Sequence, residues 1–373
     1  MTTKDLDSGA TLSPAAEDRA TRRAGTRNAS CERSTQGSIL SMEDGSGSAA
    51  EPSNESEGPS RGPTGKEPEP IGKQSGLQPM PKRKIDWTNT LFIGAAHIAA
   101  LVGLVWLIVN WHPATAVLGL VYFACCGLAI TGGYHRLFAH RAYGARSPLR
   151  LFYLLFGAAS VQNSALKWSA DHRIHHAKVD TDDDPYNARR GFWWCHIGWV
   201  LVKDTREMDA DSVKDLTRSR LIMLQHKHYL LLAIVWGALL PAAIGALWGD
   251  PIGGLLIAGF LRLVVQWHAT FSVNSLAHMF GKQPYDVKGT ARDSWVTAIV
   301  TLGEGYHNFH HRFQADYRNG VRWFQLDPTK WFVWSMSKVG VTRGLRRVPR
   351  QAIDRAREAV RNGSPKVEES VTS

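Results

Sequence analysis

The stretch LFIGAAHIAALVGLVWLIVNW, at residues 91–111, contains no charged side chain. A second uncharged run, from Ala114 to Gly133, follows after a link of only His112 and Pro113. Each run is about as long as the roughly 20 apolar residues that an α-helix needs to cross a bilayer. Buried helices of a soluble protein are the alternative, but two long uncharged runs with so short a link favour a membrane-spanning helical hairpin.

A second pair of apolar runs lies in the middle of the chain. Residues 229–249 carry no charge, and residues 251–271 carry one, at Arg262. Because these runs also meet across a minimal link, they predict a second hairpin. The sequence therefore predicts an all-α integral membrane protein with four transmembrane helices arranged as two hairpins.

Basic residues gather at one end of both hairpins. The links at 112–113 and 249–250 contain no Lys or Arg, whereas the opposite ends are rich in them. These basic residues are Lys82, Arg83, Lys84, Arg136, Arg141, Arg146 and Arg150. The positive-inside rule then places both termini and residues 135–228 in the cytoplasm. We expect a multi-pass protein of the bacterial inner membrane, or of the endoplasmic reticulum if the chain is eukaryotic.

The chain of 373 residues, with a formal charge of +11, divides into three parts by composition. Residues 1–84 are rich in Ser, Gly, Pro, Glu and Arg, so we predict a disordered tail that cannot bury enough apolar surface to fold. Residues 85–340 form the membrane domain. Residues 341–373 form a basic tail, either a helix on anionic lipid or a solvated end. We expect membrane lipids among the partners, and no nucleic acid.

Eight of the fifteen histidines form three clusters next to the apolar runs. They read HRLFAH at 135–140, HRIHH at 172–176 and HNFHH at 307–311. Neutral imidazole is the commonest metal-binding side chain near neutral pH. The i, i+3, i+4 spacing of the last two clusters places their rings on one helical face, and the i, i+5 spacing of the first suggests a helix end. All three clusters fall on the predicted cytoplasmic side, so the sequence predicts a cytoplasmic helical cap that carries a metal site.

The number and type of donors restrict the metal. Eight imidazoles exceed what one tetrahedral zinc ion uses, and no cysteine accompanies them, which argues against thiolate sites and iron–sulfur clusters. An excess of nitrogen ligands fits two redox metals, with iron as the first choice. Copper and a zinc pair stay open at this point.

The clusters and their order around two hairpins resemble the membrane fatty-acyl desaturases of the stearoyl-CoA, or delta-9, type. Longer stretches carry the same resemblance: DTDDDPYNARRGFWWCHIGW at 180–199, NSLAH at 274–278, GEGYHNFHHRFQADYR at 303–318 and LDPTKW at 326–331. The resemblance covers residues 85–340. It implies O2-dependent removal of two hydrogens from a saturated acyl chain, with formation of a cis double bond at the delta-9 position.

The resemblance also implies the metal ligands. Nine histidines would bind two iron ions (Fe2+), with O2 as co-substrate, and Asn274 would hold a metal-bound water. No residue beyond these ligands is implied to be catalytic. The nine are His135, His140, His172, His175, His176, His278, His307, His310 and His311.

Further positions match the substrate-binding residues of that family. The acyl tunnel would be lined by Gln162, Trp168, Thr270 and Phe271. Phe123 would cap the tunnel and limit chain length, although ordinary aromatic packing explains it equally well.

The match is weaker where the animal relatives hold the CoA moiety. Asp171 and Lys203 correspond to CoA contacts, but Ala170 and Asp204 stand where those relatives have basic residues. The loss of two positive charges weakens phosphate recognition. An acyl-lipid or carrier-bound substrate therefore stays open beside long-chain acyl-CoA.

The reaction needs two electrons from outside. The sequence contains no haem-binding HPGG motif, so we expect a separate cytochrome b5 or ferredoxin-type donor. Two other functions share part of this pattern. A histidine-box lipid hydroxylase shares the metal chemistry, and a membrane metal transporter would need a polar path through the spans, where the candidates are Arg262, His97 and His268.

Overall fold

The computed structural model describes residues 83–206 and 208–363, so most of the predicted N-terminal tail and residues 364–373 lie outside the described residues. Within them, four helices are long and apolar enough to cross a membrane. The four are Trp87–Val109, Pro113–Ala139, Tyr229–Ala246 and Pro251–Met279, here called the first to fourth spans. The predicted four helices are confirmed, and the second and fourth continue well beyond their apolar runs.

The fourth span is the central helix of the four. Of the 18-residue apolar stretch in each span, 61% is buried inside the protein in the fourth span, against 22%, 50% and 17% in the first, second and third spans. Its segment Gly254–Leu261 packs against the first and second spans and against Leu240–Ala246 of the third. A Cβ atom on Gly103 would lie 2.7 Å from the carbonyl oxygen of Leu256, so glycine permits the close approach of the first span.

Asp250 connects the turns of the two hairpins. Its carboxylate accepts hydrogen bonds from Thr115 Oγ1 at 2.7 Å and from Trp106 Nε1 at 3.2 Å, both near the first turn. It also caps the start of the fourth span, because Gly253 N–H donates to it at 2.8 Å. One side chain thus fixes the first hairpin against the second at the end away from the three histidine clusters.

The segment between the second and third spans is helical and packs on the spans. Its helices cover Ser147–Ala159, Ala165–Lys178, Phe192–His196, Lys214–Thr217 and Arg220–Lys227, with short 3-10 turns at Ala188–Arg190 and Gly198–Leu201. Ser164 caps the Ala165–Lys178 helix, since its side chain accepts the N–H of Lys167 at 3.3 Å. This helix packs against the end of the second span and so carries the second histidine cluster to it.

The segment after the fourth span completes the cap. Its helices cover Trp295–Val300, His307–Arg312, Pro328–Lys338 and Arg350–Gly363, and strand Thr342–Arg343 pairs antiparallel with Gly144–Ala145. The last helix buries Ile353 and Ala356 in a cluster with Tyr285 and Phe309. The described part of the basic C-terminal segment therefore packs on the domain, and contact of this helix with lipid stays a prediction.

Candidate metal centre

Nine histidine side chains meet in two groups. Within each group, one ring nitrogen from every histidine lies within 4.8 Å of the others. The five-membered group is His135, His140, His172, His176 and His310. The four-membered group is His175, His278, His307 and His311. The structure thus brings together all nine histidines named from the sequence.

The first cluster depends on an unusual helix geometry. The end of the second span, Ala129–Ala139, is a π-helix, and the N–H of His140 donates to the carbonyl of His135 at 3.1 Å. A π-helix joins residues five apart, so its wider turn aligns positions that an α-helix would separate. The i, i+5 spacing therefore delivers both rings to one group, at the helix end that the spacing suggested.

The second and third clusters each contribute to both groups. In each helix the i, i+4 pair enters one group and the residue at i+3 enters the other. The pairs are His172 with His176 and His307 with His311, and the crossing residues are His175 and His310. The two helices therefore exchange one ligand candidate each, an arrangement that the sequence did not predict.

His278 joins the four-membered group from the end of the fourth span. The helix is interrupted at Ser275 and resumes at Leu276–Met279. Nδ1 of His278 lies 2.8 Å from Thr290 Oγ1, while its buried Nε2 has no hydrogen-bond partner among the described residues. A buried polar atom without a partner is costly, so this nitrogen fits a metal ligand. In the sequence, only the family resemblance pointed to His278.

Two buried carboxylates that sequence reasoning missed hold imidazoles of the two groups. Nδ1–H of His135 donates to Glu304 at 2.9 Å, and Nδ1–H of His175 donates to Asp184 at 2.9 Å. Such partners fix the tautomer and leave Nε2 for the metal. The available signals were weak: Glu304 stands three residues before the third cluster, and Asp184 lies in the acidic run DTDDDP.

Both carboxylates are ionised at neutral pH. Burial alone would raise the pKa of Glu304, but the Arg136 guanidinium and His135 outweigh it and bring the pKa to about 2. At Asp184 burial is likewise outweighed by His175 and by backbone N–H donors, so its pKa is lowered. An ionised carboxylate only accepts hydrogen bonds, which requires Nδ1 of each partner histidine to carry the proton.

Six histidines outside the spans are held in the neutral form. Burial first, and neighbouring imidazoles next, place the pKa of each well below its ordinary value. They are His140, His172, His176, His307, His310 and His311. Neutral imidazole is the form that binds metal, so no proton has to leave these rings first.

The spacing of the donors fits one ion in each group. Nε2 atoms lie 2.8 Å apart in His140 and His172 and 3.0 Å apart in His307 and His311. Two nitrogens bound at about 2.1 Å to one ion would lie about 3.0 Å apart at a right angle and about 3.4 Å apart at the tetrahedral angle, so the observed pairs lie at or just below the short end of this range. With the unpartnered Nε2 of His278, this all-nitrogen set is suited to transition metals.

An apolar cavity of about 280 Å³ adjoins both groups. Two histidines of each group and Asn274 line it. Six of the seven predicted substrate contacts also line it: Phe123, Gln162, Trp168, Asp171, Thr270 and Phe271. The residues expected to form an acyl tunnel therefore lie along one cavity that reaches both histidine groups.

Contacts within the cavity wall link the cavity to the histidines. Gln162 Nε2 donates to Thr270 Oγ1 at 3.1 Å, which bridges two sides of the wall. The Trp168 ring stacks on His172, with a centroid distance of 4.8 Å and an interplanar angle of 21°. A movement of the Trp168 side chain would therefore displace the stacked ring of His172, a member of the five-membered group.

Lys203 does not line this cavity. It is exposed, and lines a separate surface depression with Lys84, Asp86 and Trp87. The structure thus separates Lys203 from the other predicted substrate contacts, and its predicted role in holding a head group stays a prediction.

The charge of Asp204 is compensated locally. Arg206 Nε donates to Asp204 at 2.8 Å, and Lys167 contacts both Asp204 at 3.4 Å and Asp171 at 2.5 Å. Burial would raise the pKa of Asp204, but the Arg206 side chain outweighs it and brings the pKa to about 2. Asp204 is therefore an ionised carboxylate whose charge is paired with Arg206 and Lys167.

Comparison with known proteins identifies related chains. A family model described as fatty acid desaturase matches residues 109–340. Acyl-CoA desaturase 1 of Saccharomyces cerevisiae is 48% identical over 247 residues, which are 66% of this chain and 48% of that protein. A probable acyl-CoA desaturase of Schizosaccharomyces pombe is 42% identical over 275 residues, 73% of this chain and 57% of that protein.

An animal protein shows a similar match over more of its length. Acyl-CoA desaturase of Ovis aries is 37% identical over 284 residues, which are 74% of this chain and 78% of that protein. This chain therefore spans about half the length of the two yeast relatives and most of the sheep protein.

Proposed function

The chain belongs to the fatty acid desaturase family, and from that membership we propose that it is an O2-dependent acyl-CoA desaturase. In this reaction a saturated acyl chain, O2, two electrons and two protons give a cis double bond, at the delta-9 position, and two waters. The observation that carries the proposal is the apolar cavity whose wall includes histidines of both groups.

We assign one Fe2+ ion to each histidine group. Zinc does not change oxidation state, so a zinc pair does not fit an oxidation by O2. A bound iron pair would supply the O2 activation needed to attack an unactivated C–H bond. Analysis of the purified protein for iron and copper distinguishes the two redox metals.

The protein's own side chains hold the ligands and place the substrate. Asp184 and Glu304 keep their histidine partners in the tautomer that presents Nε2. Asn274 lines the cavity, and we assign it the water of the four-membered group. Gln162 and Thr270 fix the shape of the wall, so one methylene pair would be held at the metals while water is excluded.

Long-chain acyl-CoA is the substrate best supported. The relatives named above are described as acyl-CoA desaturases. Lys84 and Lys203, at the surface depression, provide positive charge for a phosphate-bearing head group. An acyl-lipid substrate is the alternative, and assays of the purified enzyme with each acyl carrier decide between them.

Electrons would come from a separate donor, either a cytochrome b5 or a ferredoxin-type protein. With both termini in the cytoplasm, as the basic residues predict, the histidine groups face the compartment where such donors occur. An acidic donor face would be attracted to the basic surface of the cap.

Fatty-acid profiling tests the reaction directly. The chain and its His310→Ala variant would be expressed in a desaturase-deficient host, and double-bond positions located by gas chromatography and mass spectrometry. A new cis-monounsaturated acid that is missing from the variant supports the proposal. Hydroxylated lipids without a new alkene would favour the histidine-box hydroxylase instead.

A further inference from the structure

Three histidines outside the metal-binding groups form a continuous hydrogen-bonded chain. His97 Nε2 lies 3.0 Å from His268 Nε2, and His268 Nδ1 lies 3.0 Å from His196 Nε2. At one end, His97 Nδ1 lies 2.7 Å from the Ile93 carbonyl, and at the other, His196 Nδ1 lies 2.9 Å from Ser275 Oγ. The chain connects the first span, the fourth span and the short Phe192–His196 helix.

The arrangement differs from that of a third metal site. In each metal-binding group, every histidine offers one nitrogen to a common centre. In the chain, the middle ring of His268 uses its two nitrogens for two different neighbours. A single ion could therefore contact at most two of these rings, and the geometry is that of successive hydrogen bonds.

The carbonyl of Ile93 fixes the tautomer of every ring in a neutral chain. A carbonyl only accepts, so His97 Nδ1 carries a proton and His97 Nε2 accepts from His268 Nε2–H. His268 Nδ1 then accepts from His196 Nε2–H, and His196 Nδ1 must accept from the Ser275 hydroxyl. All donors point from Ser275 toward the first span.

The Ser275 hydroxyl has a competing acceptor. Its Oγ also lies 2.9 Å from the Phe271 carbonyl, but that oxygen already accepts the N–H of Ser275 at 3.1 Å. The hydroxyl is therefore free to donate to His196 without leaving Phe271 unsatisfied.

A protonated chain would satisfy all of these contacts at once, but at greater cost. On the buried ring of His196 one extra proton would be a buried charge, and none of the described contacts of the three rings is with a carboxylate. Leaving one hydrogen bond unmade costs less than burying an unpaired charge. Burial first, and His268 next, lower the pKa of His196, which agrees with the neutral chain.

The chain ends at the interruption of the fourth span. Ser275 has φ −103° and ψ −70°, where one helical segment ends and Leu276–Met279 begins. Asn274 precedes it in the cavity wall, and His278 of the four-membered group follows three residues later. The position of Ser275 therefore determines where the side chains of Asn274 and His278 lie relative to the four-membered group.

We propose that His97, His268 and His196 are positioning residues, which anchor Ser275 to the first span and thereby hold Asn274 and His278 at the four-membered group. The inference rests on the proposed metal-binding role of that group. It does not require the bound metal to catalyse desaturation.

A double-mutant cycle on the two ends of the chain tests the proposal. The full-length protein, its His97→Phe and Ser275→Ala variants and the double variant would be loaded anaerobically with Fe2+ in detergent. Release of iron to a chelator would then be timed. We expect each single variant to lose iron about threefold to tenfold faster, a smaller effect than the loss of a direct partner of a ligand, because these residues act through Ser275. The double variant should lose it no faster than Ser275→Ala alone.

Additive effects would overturn the proposal, because independent sites add whereas a connected chain does not. Unchanged iron release in His97→Phe would also overturn it. His112→Phe is the matched control, since His112 stacks on Trp248 at the distant first turn. Thermal unfolding of each iron-free variant identifies a general loss of folding: faster iron release at an unchanged unfolding temperature supports the proposal, and faster release that only follows a lowered unfolding temperature overturns it.

Steady-state kinetics provide a second readout if the chain is a desaturase. A displaced metal-binding group should lower kcat by a similar factor in His97→Phe while KM for acyl-CoA stays within about twofold. An equally large change in KM for acyl-CoA would instead indicate that the substitution had altered the tunnel wall. An inactive parent enzyme would refute the proposed function, and the iron-release cycle would still decide the positioning role.

Discussion

Nδ1 of His175 lies 2.9 Å from Oδ1 of Asp184, and both side chains are almost fully buried. Asp184 also accepts backbone N–H groups from Asp180 and Tyr186, at 3.0 Å each, so its orientation is fixed independently of the histidine. The Asp184 carboxylate therefore orients the His175 imidazole, and its own orientation does not depend on the histidine.

Removal of this carboxylate should weaken metal binding more than folding. We expect Asp184→Ala to lower iron affinity about tenfold to a hundredfold, the usual effect of losing the partner of a metal-binding histidine. Asp184→Asn retains an acceptor oxygen and should lose less. Competition with a chelator measures the affinities. Asp183→Asn, at an exposed neighbouring position, is the control, and an equal loss there would contradict the assignment.

Shortening Phe123 should shift the chain-length preference. Phe123 lines the cavity together with Gly127 and Ile130 of the second span. Each buried methylene contributes about 0.8 kcal/mol, so space for two more should favour the longer acyl chain about fifteenfold in relative kcat/KM for Phe123→Ala. Phe123→Leu should show a smaller shift. Competition between two acyl-CoA lengths gives the ratio, and an unchanged ratio would leave Phe123 as a packing residue.

The unfolding temperature should depend on pH through Asp293. Burial raises the pKa of Asp293 from 3.8 to about 7, although the N–H groups of Phe309 and Asn308 oppose the shift. Between those two values the folded chain holds a proton that the unfolded chain has released, so stability falls as pH rises through this interval.

Asp293→Asn removes the titrating group and keeps an oxygen for the N–H of Phe309. We expect its unfolding temperature to decline less between pH 5 and pH 8 than that of the parent protein. Thermal scans at several pH values in detergent measure the difference. An Asp354→Asn control should retain the parent's slope, and an equal slope in all three proteins would contradict the role of Asp293.

Loss of Asp250 should destabilise the two hairpins without changing the metal-binding groups. Asp250→Ala removes a helix cap and the hydrogen bonds from Trp106 and Thr115, for a loss of about 2–3 kcal/mol. A lower unfolding temperature with unchanged iron content is the expected result. Glu358→Ala, on an exposed helix face, should leave both quantities unchanged.

Electron transfer should depend on salt and on exposed basic residues near the site. Arg312 is exposed and directly follows His311 of the four-membered group. We expect Arg312→Glu to raise KM for an acidic donor and to weaken the dependence on ionic strength. Arg361→Glu, on the C-terminal helix, serves as the control. Turnover that is indifferent to salt in the parent protein would exclude electrostatic docking.

The sequence was informative wherever periodicity carries the signal. Long apolar runs predicted the four spans, and the i, i+4 spacing of His172 with His176 correctly placed both rings on one face of a helix. These features depend on local geometry, which repeats along a helix and can be counted in the sequence.

The sequence was less informative where contacts join distant segments. The separation of His175 from His172 follows from how two helices pack, and neither helix encodes it alone. Glu304 reaches His135 across 169 positions of sequence, so no spacing rule could pair them. A π-helix aligns His135 with His140, and the composition of residues 129–139 does not predict that helix geometry.

The exchange of His175 and His310 between the two groups has a consequence for assembly. Neither group is complete until the Ala165–Lys178 and His307–Arg312 helices have both docked. A partly folded chain therefore offers incoming ions two incomplete sets of imidazoles instead of one finished site. If each group binds one ion, as proposed, capture of the two ions is coupled to closure of the cap, and a chain holding only one tightly bound ion should be a rare species.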